Sequence, residues 1–160
     1  MADEVIAPSH IGQFHITGGH INWPPAAGIG PVMPTRVLNV TLHAQSGSSI
    51  VTGDGTLIVT PPGKPSIYTR THFQGTVHVR SYGVGKAFQI FALHGTPIAR
   101  SLGTPFVSQL IIDLKNIWGP EGTATYTVET GGAEPSDVLI KDANVSVRWM
   151  VKESIPVLEE

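Results

Sequence analysis

No cysteine occurs anywhere in the 160 residues. That absence excludes a disulfide scaffold, thiolate metal sites, iron–sulfur clusters and a cysteine nucleophile together. Charge is scarce as well. Asp, Glu, Lys and Arg make up 14% of the chain, against about 25% in an average globular protein. So little charge favours a surface that buries itself against partners. Apolar stretches such as Leu110-Ile111-Ile112 are strand-sized and fall far short of the roughly 18 residues of a membrane span. Met1 to Pro8 has neither a basic n-region nor an apolar h-region, so no signal peptide is expected and synthesis is expected in the cytoplasm. The N-x-S/T sequons at Asn39 and Asn144 lie inside expected strands and are read as chance matches.

Acidic residues are absent from Gly55 to Ile112, where five basic ones stand: Lys64, Arg70, Arg80, Lys86 and Arg100. From Asp113 onward nine acids face four bases, a local balance of −5. The simple expectation is that strands from the two halves pair and their charges offset locally. The sharper one is a basic patch for a polyanion, or complementary faces between subunits.

What is plentiful is glycine (18), proline (13) and β-branched residues. Together they signal many short strands joined by tight turns. Period-2 alternation begins at Thr35. Arg36–Gln45 alternates Leu38, Val40 and Leu42 with Val37, Asn39, Thr41 and His43. Ser48–Thr60 reads as a hairpin around Asp54-Gly55, a good type I′ turn pair. Strands follow over Ser66–Ser81, Lys86–His94, Phe106–Leu114 and Thr123–Thr130, and Asp137–Val151 carries the last one or two. Trp149 is expected in the core. No window has helical period. The pattern predicts an all-β single domain, an antiparallel jelly-roll-like β-sandwich of about eight strands over residues 35–160, with a closed β-barrel as the alternative. Residues 1–34 are broken by Pro8, Pro24, Pro25, Pro31 and Pro34. They are expected to form an extended Pro/Gly-rich arm that reaches onto a neighbour.

Chemistry-bearing sets are few. His72 and His78 alternate with Gln74, Thr76 and Arg80 on one strand face. Six residues of strand separate the two histidines by roughly 20 Å, too far to share a metal ion, and no acid is expected near them. His10, His15 and His20 recur every five residues, which is no regular period, and are read as polar loop residues. There is no G-x-S-x-G elbow, no paired-carboxylate cleft, no D-x-D-x-D loop and no phosphate loop. No catalytic residue, metal site or cofactor is therefore assigned. The candidate ligand or partner surface comprises Arg70, His72, His78, Arg80 and Lys86 with Tyr82 and Trp118. Trp118, Tyr82 and Trp23 offer rings on which a sugar could stack. Nucleic acid is disfavoured by the net charge of −2.

The closing segments Gly122–Thr130 and Asp137–Met150 are similar in style to the last strands of viral jelly rolls. The resulting expectation is a non-enzymatic protein that self-associates, as a homo-oligomer or in a larger assembly, with a virion component such as a capsid decoration or tail protein as the setting. A carbohydrate-binding module and a small barrel enzyme using the His72/His78 face are the alternatives.

Overall fold

The structure, a computed structural model, describes residues 9–21, 35–45, 48–81, 87–98, 105–129 and 138–152. Its strands are β1 (Ser9–Thr17), β2 (His20–Ile21), β3 (Thr35–Gln45), β4 (Ile50–Thr60), β5 (Ile67–Ser81), β6 (Ala87–Pro97), β7 (Phe106–Leu114), β8 (Glu121–Glu129) and β9 (Val138–Lys152). Every pairing is antiparallel, and consecutive strands from β3 to β9 are neighbours. β1 pairs with β3 on one side and β9 on the other, and the two-residue β2 continues along β9. The sheet thus closes on itself as an eight-stranded up-and-down barrel.

This corrects two expectations. A barrel replaces the sandwich, because the first and last strands pair instead of ending two separate sheets. The arm is also shorter than expected. Ser9–Thr17 is a wall strand whose Phe14 and Ile16 are buried, so the barrel already includes residues well before Thr35. The five-residue spacing of its histidines has a simple meaning on a strand: His10 points in and His15 points out. The remainder of the expected arm, 1–8 and 22–34, lies outside the described residues.

Alternation does the folding work. Inward positions carry Leu38, Val40, Leu42, Leu57, Phe73, Phe91, Leu93, Leu110, Ile112, Tyr126 and Ile140, all buried in one cluster. Over β1, β3, β4 and β5 the outward positions are mostly polar, the reverse of a lipid-facing barrel wall. Among the described residues no helix is long and apolar enough to cross a membrane.

Asp54-Gly55 is not a turn. Ile50–Thr60 runs as one strand, with Thr41 opposite Asp54 and Val40 opposite Gly55. The glycine is there for space: a Cβ on Gly55 would meet the Phe73 ring at 2.8 Å and Val40 at 2.9 Å. Gly75 likewise sits in unbroken register with both neighbours. The register shifts fall instead at Val107/Gln109 and Ala124/Tyr126.

One end of the barrel is plugged. The β7–β8 loop turns over it, with Trp118 in the left-handed region at φ 52°. The Trp118 N–H donates to the buried Gln89 Oε1 (2.9 Å), and Trp149 Nε1–H donates to the Gly119 carbonyl (2.8 Å). His10 stacks on Trp118 with ring centroids 3.8 Å apart, and Trp149 meets both rings edge-on. Burial in this aromatic stack pushes the His10 imidazole below its ordinary value.

At the opposite end the interior is more polar. Tyr126 is fully buried, and burial pushes its phenol up to about 12, with the Arg36 guanidinium opposing the rise. A raised acid favours its neutral form in the fold. Its contribution is therefore whole below the unfolded-state value of about 10 and lost as pH climbs toward 12. Alkaline difference spectroscopy is expected to show this phenol ionising about two pH units after an ordinary tyrosine, with about 3 kcal/mol of stability lost over that window. Ionisation of all tyrosines near pH 10 in the folded protein would contradict it.

Candidate functional site

Closure of the wall by β1 creates the feature with most chemistry. Strand register lays two rows of outward side chains across five strands. One row runs Arg148, Gln13, Thr41, Asp54 and His72; the other runs Ser146, His15, Asn39, Thr56 and Arg70. Between them lies an open depression of about 580 Å³. Its floor includes Gly55, where the missing side chain leaves the wall thin, together with Phe14, Val40 and Val147, whose side chains turn into the core.

Two hydrogen bonds hold the rows. His15 Nδ1–H donates to Asn39 Oδ1 (2.6 Å), and His72 Nδ1 meets Asp54 Oδ1 (2.9 Å). The first leaves the Asn39 amide N–H₂ free to donate into the groove. The second ties up Asp54, the one acid in its lining among the described residues. Both members of the His72–Asp54 pair are about half exposed, at 48% and 58%, so the pair adds little stability; what it does is partner the acid. Arg70 and Arg148 have no acidic partner among the described residues and stand at opposite ends. Four inter-strand steps of about 4.8 Å put them roughly 19 Å apart along the wall.

The surface expected from sequence is divided. Arg70 lines the groove and His72 braces it through Asp54. The expectation of no acid near His72 is thereby corrected: Asp54, eighteen residues away in sequence, is its cross-strand neighbour. His78 lies farther along β5, where it bonds Thr76 Oγ1 within its own strand (3.1 Å), and Arg80 is exposed beyond it. Trp118 is partly buried in the plug, stacked on His10 and away from the groove. Tyr82, Lys86 and Trp23 lie outside the described residues. Among the described residues the ion pairs join His72 to Asp54 and Lys115 to Glu121.

Gln13, His15, Asn39, Thr41 and Arg148 are the groove residues that the sequence did not single out. Gln13–Trp23 has strand character in the sequence, with Phe14 and Ile16 alternating with Gln13 and His15, but the prolines on either side assigned it to the arm and not to the wall. Among the described residues no three His, Cys, Asp or Glu side chains gather to hold a metal ion. No family model, curated protein or solved structure matches the chain, so the groove's geometry carries the functional reading.

Proposed function

We propose that this barrel is a binding protein for an anionic oligosaccharide, seated in the groove across β9, β1, β3, β4 and β5. The observation that carries it is the pairing of two guanidinia without acidic partners among the described residues, one at each end, with amides and hydroxyls in the two rows between them. Guanidinium forks bind sulfate and carboxylate groups bidentately. Gln13, Asn39, Thr41, Thr56 and Ser146 supply the donors and acceptors that ring hydroxyls require. The open form of the depression, with polar side chains along both rows, suits a hydrated chain better than a compact apolar ligand.

Isothermal titration with a sulfated tetrasaccharide tests this. Arg70→Gln and Arg148→Gln are each expected to weaken binding roughly tenfold, through loss of one charge-assisted contact. Added salt is expected to weaken it further. Equal affinity for the neutral tetrasaccharide, or unchanged affinity in the double variant, would overturn the reading.

Self-association is the second reading, and one feature favours it. β5 outruns β4, so among the described residues 78–81 pair only with β6 and present an open backbone edge. Such an edge is a template for another strand. Light scattering across a concentration series separates a monomer from an assembly joined there.

A further inference from the structure

The plugged end and the polar end of the interior differ in a way the groove does not use. Arg36 is an inward position of β3, directly opposite Val59 on β4. Its Nε is buried and without a hydrogen-bond partner. No acid among the described residues pairs with it. Thr69 and Thr71 follow on the inward face of β5, 5% and 0% exposed, and both hydroxyls are also unpartnered. Tyr126 points in from β8, 1% exposed, with its hydroxyl unpartnered. Strand direction places all four toward the end away from Trp118: Arg36 and Thr69 open their strands, and Tyr126 lies in the second half of its own.

Buried polar atoms are nearly always hydrogen-bonded. Four such atoms unpaired at one end of a barrel need an explanation. Each can donate a hydrogen bond, and one belongs to a cation. A group that accepts from all of them is an anion. The neighbours set by register, Leu38, Val59, Val128 and Ile140, are apolar, which suits a ligand with a single charged head. We infer that the end of the barrel holding Arg36, Thr69, Thr71 and Tyr126 receives the carboxylate head of an apolar monocarboxylate, in a site separate from the outer groove. Arg36 supplies the charge, Tyr126 a neutral hydroxyl donor, and the two threonines complete the shell.

The test uses octanoate on the full chain, with octanol as the uncharged control and melting temperature and titration calorimetry as readouts. Octanoate is expected to raise the melting temperature saturably and octanol to do so far less. Arg36→Met is expected to fold with an unchanged or higher melting temperature, because it removes a half-buried guanidinium whose Nε has no partner, and to lose octanoate affinity at least tenfold. Tyr126→Phe keeps the ring and is expected to weaken octanoate several-fold. Arg70→Gln, which alters the groove, is expected to leave octanoate binding unchanged, so failure here is distinguishable from failure of the oligosaccharide reading. Equal response to octanoate and octanol, no response to either, or full octanoate affinity in Arg36→Met would overturn the inference.

Discussion

Deleting residues 1–17 is expected to abolish cooperative folding. β1 shares nine residue pairs with β3 and nine with β9. Removing it opens both ladders at once and turns two wall strands into unpaired edges, which are sites of aggregation. It also takes Phe14 and Ile16 out of the core and strips His10 from Trp118. A single Phe14→Ala change, by the usual cost of a large-to-small core substitution, is expected to lose about 3–5 kcal/mol. That is a large share of the roughly 5–15 kcal/mol that holds a domain folded. The truncation removes far more. Circular dichroism melts and amide dispersion in NMR spectra check it: a cooperative melt at the full-length temperature would show that the segment is a dispensable arm.

Gly95→Ala is expected to cost at least about 3 kcal/mol, an unusually large effect for one methyl group. A Cβ there would fall within the van der Waals envelope of the Val107 carbonyl oxygen and lie 2.8 Å from Thr71 Cγ2. The obstacle is backbone, which has no other rotamer to adopt. It also lies where β7 shifts register between Val107 and Gln109, so the glycine and the bulge are two parts of one bend that closes the barrel. Gly53, Gly75 and Gly122 approach neighbouring backbone in the same way. Gly63 provides the contrast. Nothing lies within 4 Å of its Cβ position, and only its φ of +69° opposes a side chain. Gly63→Ala is expected to cost about 1 kcal/mol. Equal denaturation midpoints for the two variants would contradict this account of the wall glycines.

The strands were more legible than their arrangement. In β3, β7, β8 and β9 the inward residues are apolar with the exception of Arg36, and the outward ones tend to be polar, so the alternation of Leu38, Val40 and Leu42 or of Ala124, Tyr126 and Val128 already marks the core face. Sandwich and barrel share that period. They differ in whether the first strand meets the last, a long-range pairing that local pattern does not encode. Asp54-Gly55 misled for a related reason. The same dipeptide serves a tight turn or a thin place in a wall, and only the Phe73 ring beside it decides which. The groove was half visible. Arg70 and His72 share a strand face and can be read from β5 alone, whereas Asp54, Asn39, Gln13 and Arg148 join them only through the register of four further strands.

The groove and the closure are one proposition, since its two rows exist only because β1 bridges β9 and β3. Amide chemical-shift mapping of the full chain during titration with a sulfated tetrasaccharide tests it most directly. Shifts are expected to concentrate at Gln13, His15, Asn39, Thr41, Thr56, Arg70 and Arg148, with the far wall at Ile111 and Thr125 unmoved. Shifts centred on that far wall, or β1 amides that stay silent while others move, would contradict it.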